Sequence, residues 1–371
     1  MLDAPLRNLF GSADVRVLTL ARTPISWIGM QPTLRVLHRW TGRALVSGVE
    51  REWSLVLKLS RRDPRTDDPS AWNYWKREFL AYRSGILDDL PGIAAPRVYG
   101  ADERDGEFTI LWLEDVPESA SGRWPTERYV LAARHLGEFN GAYLAGRPIP
   151  DAPFLTRTQL RSWATWLSSS DIIRSKATWG DRIVVREIAV PPIDRLEHLH
   201  AAMPTLLDAL DRLPQTFSHL DCWRANLISA RGATGAPRTV AIDWSSVGRA
   251  PLGQDLAILV FGSQIWLDAE PSDLTTLSAR AFESYLDGAR AAGWTGDVGR
   301  LRFAYAASAA LYMGPPLPFW IARVAEPARR EWLQRKCGRP IEEVVHGWSL
   351  LLDHVLDLAA EAEGELRAVE H

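Results

Sequence analysis

The chain has 371 residues, 46% hydrophobic and 24% charged, with a formal net charge of −3. Its length exceeds one typical core and predicts two lobes, while its composition is that of an ordinary globular protein. The slight negative charge offers no basic field for a phosphate backbone, which excludes nucleic acid as an expected partner. Two cysteines, Cys222 and Cys337, are too few for a disulfide framework or a thiolate metal cluster and fit a reducing cytoplasm.

From Met1 to Pro5 there is no charged head leading into an apolar core, so no secretory signal is expected. Val15 to Leu20, Thr33 to Val46 and Trp53 to Leu59 carry the β-branched, aromatic and alternating residues of strands, with Gly48 and Glu50 marking a turn between the last two. Along Trp53-Ser54-Leu55-Val56-Leu57-Lys58-Leu59 the odd positions face one side and Lys58 the other. An ammonium on such a strand either meets an anion or belongs to an edge strand facing water.

The charged, proline-broken stretch Arg61 to Asp68 predicts a loop. Ser70 then offers a cap for a helix from Ala71 to about Arg83. Glu78, three residues after Trp75 and four before Tyr82, falls on the aromatic stripe of that helix, where a carboxylate is costly unless paired. Lys58 is the natural partner, and an exposed Glu78 beside Lys76 and Arg77 is the alternative. Arg97 to Gly100 and Phe108 to Leu113 read as two further strands, the second running through Glu114 and Asp115 to a polar connector, Pro117 to Pro125.

Beyond the connector the periodicity turns helical. Ala132, Leu136, Phe139 and Tyr143 share one helix face, and Leu206 to Leu213, Leu274 to Ala292, Glu331 to Cys337 and Ile341 to Ala360 read the same way. Phe303 to Ala322 lacks formal charge but is rich in alanine and broken by Pro315, Pro316 and Pro318. It predicts a buried helix ending in a proline turn rather than a membrane span. His198 and His200 read as surface histidines, and the tail from Glu361 to His371 as frayed.

Chemistry concentrates in His219-Leu220-Asp221-Cys222-Trp223-Arg224-Ala225-Asn226, followed by the strand-like Thr239-Val240-Ala241-Ile242-Asp243. The pattern H-x-D-x-x-x-x-N followed by a strand ending in Asp carries the parts that phosphoryl transfer needs. One carboxylate meets the attacking hydroxyl, and an amide oxygen and a second carboxylate hold Mg²⁺. An Asn/Asp turn between two strands is the plainer reading of the same residues. His219 is expected to brace the loop and Cys222 to be a packed thiol. In Gly253-Gln254-Asp255-Leu256-Ala257, Asp255 either ties back to the loop or simply caps the helix it begins.

Lys58, Glu78, the Glu114 segment, His219-x-Asp221-x₄-Asn226, Ile242-Asp243-Trp244 and Gly253-x-Asp255-Leu256-Ala257 together resemble the aminoglycoside phosphotransferase and choline kinase superfamily, over about residues 15 to 350. The resemblance implies an α+β, two-lobed protein-kinase-like fold. It places a strand-rich nucleotide-binding lobe at 1–113, a hinge near 113–117 and a mostly helical lobe at 114–371. It further implies ATP, or GTP, with Mg²⁺, and a small-molecule hydroxyl as acceptor. Asp221 would be the catalytic base, Asn226 and Asp243 metal ligands and Lys58 the phosphate anchor paired to Glu78. Glu114 and Val116 would present backbone groups to the base, with His219 and Asp255 in support.

Two departures stand out. Ile25 to Leu34, where a glycine-rich phosphate loop belongs, contains only Gly29, and Leu220 stands where protein kinases carry Arg. Together with the short span from Asp243 to Asp255, the second argues against a regulated protein kinase. The expected acceptor is an aminoglycoside or another natural-product alcohol. Acidic residues of the helical lobe (Asp268, Glu270, Asp273, Glu283) are dispersed, while Trp266, Trp320, Trp332 and Trp348 suit a flatter ligand. The alternative is a kinase-like partner subunit in a peptide natural-product assembly, acting on Ser or Thr of a precursor peptide. No membrane partner is expected.

Overall fold

The computed structural model describes residues 2–26, 33–118, 122–232 and 235–370. The centre of the glycine-poor segment (27–32) and part of the Pro117–Pro125 connector (119–121) lie outside them. The chain forms two compact units. One comprises Met1–Ser119, Pro150–Thr156 and Ile228–Val247, the other Ala120–Ile149, Arg157–Leu227 and Gly248–His371.

In the first unit, α1 (Asp3–Phe10) precedes β1 (Val15–Pro24), β2 (Leu34–Val46) and β3 (Val49–Arg61). After a loop come α2 (Arg77–Arg83), β4 (Ile93–Ala94), β5 (Val98–Arg104) and β6 (Phe108–Glu114). The main sheet is antiparallel in the order β1-β2-β3-β6-β5. Its β2–β3 turn is the pair Ser47-Gly48, both at positive φ, so β3 starts at Val49 and Glu50 lies within the strand.

β3 is therefore central, with Lys58 opposite Leu37 on one side and Leu111 on the other. Trp53, Leu55 and Leu57 are buried on the face that α1 covers, in a cluster with Leu6, Ala44, Ile110 and Trp112. Helix α1 has no strong sequence signal. It holds because Leu6 is fully buried against that face and Asn8 reaches the carbonyl of Tyr99 at 2.8 Å.

Helix α2 starts six residues later than the capping pattern predicts. Ser70 turns back to Asp68, donating from both its backbone N–H and its hydroxyl at 2.8 Å. The carbonyls of Ala71 and Trp72, which a helix would have offered to N–H groups four residues on, accept from the guanidinium of Arg77, as does that of Pro69.

The second unit is mostly helical: α3 (Thr126–Leu144), α4 (Gln159–Leu167), α5 (Ser170–Arg174), α6 (Lys176–Trp179), α7 (Arg182–Glu187) and α8 (Ile193–Arg212). Next come β7 (Gln215–Ser218), and then β8 (Leu227–Arg231) and β9 (Pro237–Ala241), which form a small sheet with β4 that belongs almost wholly to the first unit. The second unit resumes with β10 (Gly248–Pro251), paired to β7, and continues through α9 (Gln254–Phe261), α10 (Leu274–Ala291), α11 (Val298–Met313), α12 (Pro316–Ala322), α13 (Pro327–Cys337) and α14 (Ile341–Glu370).

Three expectations change. Helix α8 begins at Ile193 and runs through Pro204, because Leu196, Leu199, Met203, Leu206, Leu207 and Leu210 form one continuous buried stripe. The uncharged stretch is two helices, since Pro316 sits in the first turn of α12, where its missing N–H costs nothing. The tail is not frayed: Ala362 is buried, Glu361 pairs with Arg302, and Glu363 accepts from His198 at 2.7 Å, which carries α14 to Glu370.

Among the described residues, no helix is long and apolar enough to cross a membrane. Helices α3 and α10 cross closely through glycines. A Cβ on Gly137 would lie 2.0 Å from the Tyr285 carbonyl oxygen, and one on Gly288 at 2.0 Å from that of Arg134.

Because Leu6 has no accessible surface, Leu6→Ala should lower unfolding stability by about 2–5 kcal/mol, the usual cost of a buried leucine cavity. Chemical denaturation checks this; an unchanged midpoint would mean that α1 does not dock on the sheet.

Candidate active site

In the first unit Lys58 points to the face opposite α1 and is 7% exposed. Its Nζ lies 2.6 Å from a carboxylate oxygen of Glu78, on α2, and 2.8 Å from Oδ1 of Asp243. Burial works against the ammonium charge, but Asp243 and Glu78 outweigh it and raise the Lys58 pKa above its ordinary value. Burial pushes the Glu78 pKa up, with Lys58 opposing. Buried ion pairs return little net stability once desolvation is counted, so this cluster is weak as a structural device and fits a functional one.

Asp243 follows β9 after Ile242, with φ of 59°, a left-handed conformation unusual for a residue with a side chain. Trp244, fully buried, anchors the turn by donating its indole N–H to the Ala241 carbonyl at 2.8 Å.

Glu114 ends β6, and its side chain accepts from the Arg97 N–H at 3.1 Å. Asp115 takes Arg39 Nε at 2.7 Å and the Ser54 hydroxyl. Half-buried Val116 packs against Ala94, Ala230 and Val240. The side chains of this segment are thus committed to the fold.

The second unit holds the loop after β7. Asn226 donates from Nδ2 to both the backbone carbonyl and Oδ2 of Asp221, each at 2.8 Å. Its amide oxygen has no hydrogen-bond partner among the described residues. His219 is fully buried and its Nδ1 accepts from the Asp221 N–H at 3.2 Å, which puts the ring proton on Nε2. Asp255 does not cap α9. Its carboxylate accepts from the N–H groups of His219 (3.0 Å) and Leu220 (2.8 Å), holding Leu220 at φ of 64°.

Behind Asp255 stands a buried network that the sequence reading missed. Asn140 on α3 donates to Asp255 Oδ2 and to the Phe217 carbonyl, each at 3.0 Å, and accepts from the Tyr285 hydroxyl at 2.8 Å. Tyr285 in turn accepts from the Gly253 N–H at 3.2 Å. The signal was an amide on an otherwise apolar stripe, four residues after Leu136. The structure therefore brings together Lys58, Glu78 and Asp243 in one unit, and His219, Asp221, Asn226 and Asp255 in the other. Among the described residues no group of three or more His, Cys, Asp or Glu is arranged to hold a metal by itself.

The model of the phosphotransferase enzyme family matches residues 43–296, and the chain belongs to that family. It is accordingly a phosphotransferase. Among solved structures it is similar to a microcompartment-associated aminopropanol kinase, at 13% identity and a TM-score of 0.51, over 92% of this chain and 94% of the other. That likeness shows the fold to be the two-lobed protein-kinase-like one. An amicoumacin kinase solved with AMP-PNP and Ca²⁺ (13% identity, TM-score 0.49, 86% and 87% covered) and a Plasmodium vivax ethanolamine kinase (12%, 0.49, 92% and 83%) also align. No curated protein matches the chain in sequence.

Both cysteines are buried. Burial, reinforced by Asp255, raises the Cys222 pKa well above the ordinary thiol value, and burial pushes Cys337 up to about 11. Since the thiolate is the reactive form, the native protein should give no rapid reaction with a disulfide reagent at pH 8, and both thiols should react after denaturation. Fast labelling of Cys222 in the folded protein would contradict its place beneath the loop.

Proposed function

We propose that this chain transfers the γ-phosphoryl group of ATP, with Mg²⁺, to a hydroxyl of a small natural-product alcohol. The observation that carries the reading is the buried ammonium of Lys58, held by Glu78 at 2.6 Å and by Asp243 at 2.8 Å. An ammonium fixed by two carboxylates is oriented as a point charge for phosphate oxygens. GTP would meet the same group, and ATP is the nucleotide we assign. The backbone of the Glu114–Val116 segment is assigned to the nucleotide base, because its side chains are occupied elsewhere.

Asp221 takes the role of base. It receives the proton of the acceptor hydroxyl and, above all, aligns that hydroxyl, since a loose transfer state demands little base strength. Asn226 restrains Asp221 through its Nδ2 and keeps its amide oxygen unengaged. That oxygen and the carboxylate of Asp243 are each hard donors of the type Mg²⁺ prefers, and each fits the ion by its chemistry. When bound, Mg²⁺ supplies neutralisation and orientation of the triphosphate. His219 and Asp255 fix the loop that carries Asp221.

The acidic residues of the second unit support an acceptor other than a polycation. Glu270 is taken by Arg123 and Arg339, and Asp268 lies in the field of Arg224, Lys336 and Arg123. Trp266, Trp320 and Trp332 form an aromatic group instead, with Trp320 and Trp332 stacked at 6.3 Å, while Trp348 is buried and donates to the Ile265 carbonyl. A flat or apolar natural-product alcohol therefore suits the unit better than an aminoglycoside. The alternative, a partner subunit acting on a precursor peptide, gains nothing from the family match.

The test begins with a phosphorus-NMR screen of hydroxyl-bearing metabolites and antibiotics to find the acceptor. With it, Asp221→Asn should leave nucleotide affinity intact and cut kcat by at least ~10²-fold, the scale of a positioned acid–base group. Asp243→Ala should weaken binding of the metal-nucleotide complex itself. Full turnover by both variants would refute the roles of Asp221 and Asp243.

A further inference from the structure

Arg77 is fully buried and makes no ion pair among the described residues. Its guanidinium donates only to backbone carbonyls: Nε to Phe154 at 2.6 Å, one terminal nitrogen to Trp72 at 2.6 Å and to Ser245 at 3.2 Å, the other to Pro69 at 3.4 Å and to Ala71. These carbonyls come from three segments that are distant along the chain. Burial lowers the Arg77 pKa to about 10, which leaves it charged at neutral pH. Burying a cation without a counter-charge is costly, and an apolar side chain would fill the same space with a smaller desolvation penalty. Its place calls for an explanation beyond packing.

The explanation lies in what Arg77 ties together. It immediately precedes Glu78 on α2, and Ser245 is the second residue after Asp243. The bond from Arg77 to the Ser245 carbonyl thus joins the helix that carries one carboxylate on Lys58 to the turn that carries the other. The bond to Phe154 fixes both to the returning segment 150–156. That segment braces the same turn again, through the Thr156 N–H to the Val247 carbonyl at 3.3 Å. Asp243 is held at positive φ, a conformation that persists only where its surroundings impose it.

We propose that Arg77 is a positioning residue that sets the separation of Glu78 and Asp243 and thereby aims Lys58 and the metal-binding carboxylate. The inference rests on the phosphotransferase reading above. Only a guanidinium can reach so many carbonyls in a plane; a lysine keeps the charge but offers one nitrogen.

The test compares wild type, Arg77→Lys, Lys58→Met and the double variant, using calorimetric titration with Mg²⁺-ATP and steady-state kinetics below the melting temperature of each. Folded Arg77→Lys should lose on the order of 10²-fold in kcat/KM for the nucleotide, the scale of an ångström-sized misplacement, with KM for the acceptor unchanged. In the Lys58→Met background the same change should cost clearly less nucleotide affinity than it does in the wild type, while its loss of Tm persists. Should Arg77→Lys be recovered unfolded, Arg77→Gln, which keeps two N–H donors, takes its place.

A lowered Tm with nucleotide affinity and Mg²⁺ dependence unchanged would overturn the positioning role and leave a structural one. So would effects of the two substitutions that simply multiply. Failure of the wild type to bind Mg²⁺-ATP would remove the functional reading, and this one with it. Binding by the wild type with an unaffected Arg77→Lys would remove this one alone.

Discussion

A buried ammonium must be paid for by its neighbours, and Lys58 is matched by two carboxylates rather than one. Glu78 arrives from a short helix and Asp243 from the end of a strand nearly two hundred positions further along the chain. Each approach depends on structure that would otherwise have little reason to exist. The sheet places Lys58 on its central strand, α1 covers the opposite face, and the loop before α2 wraps around a buried arginine. Charge pairing at one atom thus ties the central strand, α2 and the Asp243 turn together.

The second unit solves a different problem, that of holding a short loop in a conformation it would not adopt alone. Leu220 sits in the left-handed region, where a side chain other than glycine is strained, at a cost on the order of 1–3 kcal/mol. Asp255 meets that cost with two backbone hydrogen bonds, and Asn140 and Tyr285 hold Asp255 in turn. The result is an aspartate whose backbone and side chain are both restrained, one by His219 and the other by Asn226. On the proposed reading, in which Asp221 aligns the acceptor hydroxyl, that restraint matters more than base strength.

Much of this was legible in the sequence because the informative residues break a local pattern. Lys58 interrupts an apolar strand, Glu78 an aromatic stripe, and the His219–Asn226 segment has a spacing with chemical meaning. Asn140 breaks its helical stripe in the same way. What could not be read depended on partners remote in the chain. Arg77 looks like a surface arginine beside Lys76, and only the carbonyls of residues 154 and 245 make it a core residue. The late start of α2 follows from the bonds of the same guanidinium to the carbonyls just before the helix. The continuation of α14 past Ala360 depends on Arg302 and His198, which no local signal reveals.

If the Lys58 cluster grips a metal-bound triphosphate, as proposed, titration of Mg²⁺-ATP into wild type and Lys58→Met will reveal it. Saturable binding by the wild type that requires the divalent ion and is strongly weakened in the folded variant is expected. Equal binding by the two proteins, or none by the wild type, would contradict it.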